Sequence, residues 1–217
     1  MNVQPTIDRV REAGVVAVLR GPDAPRTRRV IDTLVKHGIT GIEVTYSTPE
    51  APRLIEEVRR AHGGAVVVGA GTVRTEDEAA AAFEAGAQFL VAPGTDPPLV
   101  SAMLRLGPPV MSGALTPSEV MTATRLGVHV VKLFPASLGG PAYLRALRGP
   151  FPDVPFLPTG GVGPENLGTW LEAGAVAVGA GGELASTSDI AEEAYGAIAD
   201  KARRFVATMR GQGNARP

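Results

Sequence analysis

Short apolar runs alternate with amphipathic stretches along almost the whole chain, and this alternation restricts the possible folds more than any other feature. Val15-Val16-Ala17-Val18-Leu19-Arg20 is a continuous apolar run with a cation at its end, as expected of a strand buried on both faces. A helix over 24–37 follows, with Val30, Ile31, Leu34 and Val35 inward and Gly38 as its cap. The unit then recurs. Strands are expected at 41–45, 65–70, 88–92, 109–112, 129–135, 156–158 and 175–178, and helices at 49–62, 75–85, 96–106, 117–126, 141–148, 164–173 and 188–209. Ile7, Val10 and Ala13 mark a short lead-in helix that Gly14 ends. Such units, spaced by roughly 25 residues, predict a parallel sheet, because parallel neighbours need a crossover connection. Eight of them in 217 residues fit an α/β fold of the closed (β/α)8 TIM-barrel type, with an open doubly wound sheet as the alternative. No Pro/Ser-rich linker divides the run, so residues 1–210 are expected to form one barrel domain, and the polar, glycine-rich 211–217 a frayed tail.

The balance of charges excludes several function classes. A net charge of -1 gives no field that would gather nucleic acid or an anionic membrane. The basic run Arg26, Arg28, Arg29 reads as a solvated helix face. With no cysteine there is no thiol nucleophile and no thiolate metal site. His37, His62 and His129 are far apart, so no metal site is expected. Met1 to Glu12 holds no apolar signal core, and no apolar run is long enough to span a bilayer, so the expected location is the cytoplasm. Gly69-Ala70-Gly71 is a poor dinucleotide fingerprint, because Arg74 stands where a third glycine is needed.

In a barrel, polar residues at the C-terminal ends of the strands converge on one mouth. Those ends carry Arg20, Glu43 with Thr45, Gly71-Thr72, Pro93, Ser112, Lys132 with Phe134, and two glycine-rich segments, Thr159-Gly160-Gly161-Val162 and Gly179-Ala180-Gly181-Gly182. Two residues stand out. Lys132 lies in the middle of the apolar run His129-Val130-Val131-Lys132-Leu133-Phe134-Pro135, and Glu43 lies inside Ile42-Glu43-Val44. Desolvation works against an ammonium, and a neutral amine attacks a ketone to form a Schiff base. A buried carboxylate nearby can act as acid and base. The alternatives are a lysine that reaches solvent and a purely structural ion pair. After a seventh and an eighth strand, glycine-rich loops let backbone N–H groups approach a phosphate, although ordinary turns use the same residues.

The segments Val18-Leu19-Arg20, Ile42-Glu43-Val44-Thr45, Gly69-Ala70-Gly71-Thr72-Val73, Ala92-Pro93-Gly94, Val131-Lys132-Leu133-Phe134-Pro135-Ala136, Gly149-Pro150-Phe151, Pro158-Thr159-Gly160-Gly161-Val162 and Gly179-Ala180-Gly181-Gly182 resemble, in order, those of the 2-keto-3-deoxy-6-phosphogluconate (KDPG) and 4-hydroxy-2-oxoglutarate (KHG) aldolase family. The resemblance implies a class I aldolase on a TIM barrel, a homotrimer, acting on a 2-keto acid without cofactor or metal. It implies Lys132 as the Schiff-base lysine and Glu43 as acid and base. It places Arg20 and Thr72 at the substrate carboxylate, with Thr45 on the Glu43 strand face and Pro93 and Phe134 lining the pocket. Thr159 falls where sugar stereochemistry is read, and its hydroxyl implies the gluconate-derived substrate. Gly160, Gly161, Gly181 and Gly182 fall at the phosphate. Ser47 stands where some members carry arginine, which leaves the carboxylate to Arg20. Gly182 stands where many carry serine, which removes one hydroxyl donor.

Overall fold

The computed structural model describes residues 2–213. It alternates strands and helices throughout: α1 (Gln4–Ala13), β1 (Val15–Leu19), α2 (Ala24–Lys36), β2 (Gly41–Thr45), α3 (Ala51–His62), β3 (Val67–Gly71), α4 (Glu76–Glu84), β4 (Leu90–Ala92) and α5 (Pro97–Leu106). The second half continues with β5 (Val110–Ala114), α6 (Pro117–Leu126), β6 (Val130–Leu133), α7 (Gly140–Arg148), β7 (Phe156–Pro158), α8 (Leu167–Glu172), β8 (Val178–Ala180), α9 (Thr187–Ala191) and α10 (Tyr195–Gly213). The strands form one eight-stranded sheet in the order β7-β6-β5-β4-β3-β2-β1-β8. All the pairings are parallel, and β1 pairs with β8. The two ends of that order also meet: the Val176 N–H donates to the Phe156 carbonyl at 3.0 Å, and Thr159 bridges Gly179. The sheet is therefore a barrel and not an open doubly wound sheet.

Local chemistry starts and stops the helices. Asp23, Thr75, Asp96 and Thr116 each accept a backbone N–H in the first turn of the helix that follows. Proline sits in the first turn of α1, α2, α3, α5, α6 and α7, where its missing N–H has no helical partner to lose. Gly107 and Gly127 close α5 and α6 in the left-handed conformation.

Two apolar layers result. Val16, Val67, Phe89, Val91, Met111, Val130, Leu157 and Ala177 fill the barrel interior, and Val10 of the lead-in helix joins them. The alternate residues of each strand, such as Val15, Ala17, Ile42 and Val44, pack outward against the helices. Toward the mouth the interior is lined by glycines, and each has a spatial reason. A Cβ at Gly69 would overlap the Phe89 ring, one at Gly113 the Pro93 carbonyl, and one at Gly179 the Thr159 side chain.

Most expected boundaries shift by one or two residues, and four differences bear on the site or the closing helix. The eighth strand is Val178–Ala180 rather than 175–178, because Val176 bonds to β7 while Val178 donates to the Gly14 carbonyl beside β1. Gly179 and Ala180, read as part of a loop, lie in that strand. The eighth helix begins at Leu167 because Asn166 folds the preceding residues into a turn, accepting from Gly163 N–H and donating to the Gly161 carbonyl. The expected closing helix over 188–209 is broken in two at Glu193, which has φ 55° and pairs with Arg26 and Arg29 of α2. Of the stretch read as a frayed tail, 211–213 belong to α10, and 214–217 lie outside the described residues.

Gly113→Ala drives a Cβ into the backbone of Pro93, whereas Gly94 has open space around it. Urea unfolding is expected to show Gly113→Ala destabilised by about 1–3 kcal/mol. Gly94→Ala is expected to stay within about 0.5 kcal/mol. Equal stabilities would refute the packing described for the β4–β5 wall.

Candidate active site

Glu43 and Lys132 point into the barrel from β2 and β6, almost opposite one another in the ring. Glu43 is level with Val18 of β1 and Gly69 of β3, and Lys132 is level with Gly113 of β5 and Leu157 of β7. The Lys132 Nζ lies 3.5 Å from Glu43 Oε1, with side chains 6% and 1% exposed. Two charged groups withdrawn from water need each other, because an uncompensated buried charge is costly. Gly71 makes the arrangement possible, since a Cβ there would occupy the space of the Glu43 carboxyl. The Phe134 ring lies beside the amine, its centroid 5.4 Å from Nζ, and part of it is exposed at the mouth.

The other residues named from the sequence divide into groups. Arg20, Phe134, Thr159, Gly160, Gly161, Gly181 and Gly182 line one cavity of about 340 Å³ at the mouth; Lys132 and Glu43 do not line it, and Phe134 stands between it and the amine. Thr159 is buried and its Oγ1 has no hydrogen-bond partner among the described residues. Gly160 and Gly161 have φ of 97° and 72°, backbone that only glycine adopts without strain. Thr45 is fully buried in the wall, where its hydroxyl donates to the Leu19 carbonyl at 2.8 Å and meets Ser47 Oγ at 2.6 Å. Thr48 accepts the Gly21 N–H at 3.1 Å, so two hydroxyls of the β2–α3 segment fasten the backbone on either side of Arg20. Thr72 follows β3 with φ 56°, a strained conformation for a β-branched residue. Pro93 does not reach the cavity with Arg20; it lines a separate depression with Val73, Arg74, Thr95 and Asp96. Ser112 is buried, with its hydroxyl 2.8 Å from Thr95 Oγ1.

Val18, Val162, Glu183, Ala185 and Thr187 complete the cavity wall and are not named as site residues from the sequence. Val18 had a readable signal, since it shares an inward face with Val16 two residues earlier. Glu183 and Thr187 have none, because they lie beyond β8 and its glycine pair, in a segment past the strand ends that mark the mouth. That segment is firmly held. Ser186 and Asp189 form a reciprocal capping box at the start of α9, and Lys201 of α10 donates to Asp189 at 2.7 Å. Burial raises the Asp189 carboxyl, but hydrogen bonds from Lys201 and Ser186 outweigh it and hold the carboxyl below its ordinary range. Among the described residues, no group of three or more His, Cys, Asp and Glu side chains is placed to hold a metal ion.

A carboxyl with a depressed folded-state pKa stabilises the protein above its unfolded pKa, near 3.8, and that contribution disappears as pH falls through the lower folded value. Asp189→Asn is therefore expected to lower stability by about 1 kcal/mol at neutral pH. Thermal melts should show the gap from wild type closing below pH 4 or so. A gap that does not depend on pH would contradict the assignment.

Comparison with known proteins agrees with this geometry. The family model described as KDPG and KHG aldolase matches residues 6–201. A 2-dehydro-3-deoxy-phosphogluconate aldolase of Treponema pallidum is 40% identical over 166 residues, covering 76% of this chain and 77% of the relative. A 2-dehydro-3-deoxy-6-phosphogalactonate aldolase of Escherichia coli is 29% identical over 90% of this chain and 94% of its own length. The crystal structure of the Legionella pneumophila KDPG aldolase, with pyruvate captured as a covalent carbinolamine intermediate, superposes with a TM-score of 0.83 at 28% identity, covering 92% of this chain and 97% of that one. With its inward lysine and glutamate, its glycine-lined mouth and a match over nearly its whole length, the chain belongs to the KDPG and KHG aldolase family.

Proposed function

We propose that this protein is a class I aldolase that cleaves 2-keto-3-deoxy-6-phosphogluconate to pyruvate and glyceraldehyde 3-phosphate through a Schiff base on Lys132. The observation that carries the reading is a single amine and a single carboxyl, both buried and 3.5 Å apart, with the amine against the Phe134 ring that also lines the cavity at the mouth. A proton passed from Lys132 to Glu43 leaves a neutral nucleophile and the acid that the next step requires. The amine adds to the C2 carbonyl, and Glu43 returns the proton as the carbinolamine loses water. The resulting iminium accepts the electron pair of the C3–C4 bond. Glu43, directly or through a water, takes the C4 hydroxyl proton, and glyceraldehyde 3-phosphate departs. The enamine takes a proton at C3, and water releases pyruvate and the free lysine.

In this scheme Arg20 and Thr72 hold the substrate carboxylate. Thr45 supports Arg20 from within the wall. Phe134 flanks the reacting carbons, Pro93 stays in the neighbouring depression, and the unpartnered Thr159 hydroxyl faces the C4 oxygen. The backbone N–H groups of Gly160, Gly161, Gly181 and Gly182 receive the phosphate. No cofactor takes part in any of these steps. A second reading, cleavage of 4-hydroxy-2-oxoglutarate or a non-phosphorylated keto-deoxy acid, is favoured by Gly182, which supplies no hydroxyl to a phosphate. We also propose a homotrimer in the cytoplasm. Support comes from the family resemblance, from the exposed Leu138 (72%) and Met121 (51%), and from the depression that Leu138 forms with Leu115 and Tyr143. Among the described residues no helix is long and apolar enough to cross a membrane.

Borohydride added with pyruvate is expected to fix one pyruvate-derived adduct, mapped by mass spectrometry to Lys132. Lys132→Ala is expected to abolish turnover, and Glu43→Gln to lower kcat by about 10²–10⁴-fold. Turnover at the normal rate by Lys132→Ala would reject the scheme. Sedimentation is expected to give a trimer mass, and a monomer at working concentration would reject the assembly.

A further inference from the structure

We propose that Thr187 supplies the side-chain hydrogen bond to the substrate's distal phosphate, in the place that Gly182 leaves without a hydroxyl. The inference rests on the aldolase reading above. The cavity is lined by Gly160 and Gly161 after β7 and by Gly181, Gly182, Glu183, Ala185 and Thr187 after β8. Those glycines offer only backbone donors. Of the side chains lining the cavity, Arg20, Thr159, Glu183 and Thr187 are polar. Arg20 is given to the carboxylate end, and Thr159 is buried deep against Gly179. Glu183 is a carboxylate, which accepts hydrogen bonds and repels a dianion. Thr187 remains as the side chain at this end that can donate to an oxyanion.

The surroundings of Thr187 prepare it for that part. Its neighbours are already engaged: Ser186 accepts from the Asp189 N–H at 3.0 Å, and the Ser186 and Ser188 hydroxyls meet at 2.9 Å. The Thr187 hydroxyl has no such bond among the described residues and stays at the cavity edge. Ile190, wholly buried, anchors the same short segment from below. Lys201 holds Asp189 and Asp189 holds the Ser186 backbone, so the segment that carries Thr187 at the cavity edge is itself held in place. A donor held in place before the ligand arrives loses little freedom on binding.

The test is steady-state kinetics of wild type, Thr187→Val and Thr187→Ser on 2-keto-3-deoxy-6-phosphogluconate and on 4-hydroxy-2-oxoglutarate, which carries no phosphate. Thr187→Val is expected to raise KM for the phosphorylated substrate about tenfold, the size of a lost hydrogen bond to a charged group. Its kcat, and both parameters for the other substrate, are expected to stay close to wild type, with Thr187→Ser restoring KM. Inorganic phosphate is expected to inhibit Thr187→Val about tenfold more weakly than wild type. If Thr187→Val alters both substrates alike, or neither, the assignment is overturned. Wild type that cleaves both substrates equally well keeps the aldolase reading and overturns this one. Wild type that cleaves neither overturns the aldolase reading itself.

Discussion

One buried ion pair organises this molecule. Lys132 and Glu43 come from strands far apart in the sequence, and each is tolerable inside the barrel only because the other is there. Accommodating them sets the shape of the upper interior. Gly71 gives up its side chain to the Glu43 carboxyl, and Gly113, level with Lys132, gives its own to the Pro93 carbonyl. The apolar floor built from Val16, Val67, Phe89, Met111 and Val130 lies below the pair. The stability cost and the chemical use of the site have the same origin. A lysine kept from solvent with one proton acceptor in reach is poorly hydrated and well placed to react.

The mouth is assembled by a different logic. Glycines after β7 and β8 line it together with side chains from the end of β1, from Phe134 and from the segment leading into α9. The hydroxyls of Thr45 and Thr48 hold the chain on either side of Arg20, so the cation is aimed by residues that need not touch a ligand themselves. Thr72 is held in a left-handed conformation, which places strain at the same rim. Strands carry the buried pair, while turns shaped by glycine contribute to the lining of the cavity.

Much of this was legible in the sequence because the signals were local. A lysine or a glutamate within an apolar run is conspicuous, and the strand–helix period announces a barrel before any pairing is known. What was hidden depended on contacts across the ring. Gly179 reads as a turn residue, yet it lies in β8, where the Thr159 side chain occupies the space of a Cβ. Val176 reads as strand interior, but its N–H goes to one neighbour and that of Val178 to the other, so the regular ladder starts late. Glu193 breaks the closing helix through arginines on α2, more than 160 residues away, a partnership no local pattern contains. Thr45 was visible as a polar strand end, but its engagement with Leu19 was not.

The pairing of β1 with β8 joins the first strand of the chain to the last. Val18 and Arg20 stand on one side of that seam, and Gly181, Gly182 and Thr187 on the other, so the cavity straddles it. A growing polypeptide has no complete ligand site until its final unit closes the ring. Any molecule bound there is then a clasp: it favours the shut ring over every conformer in which the two ends have parted.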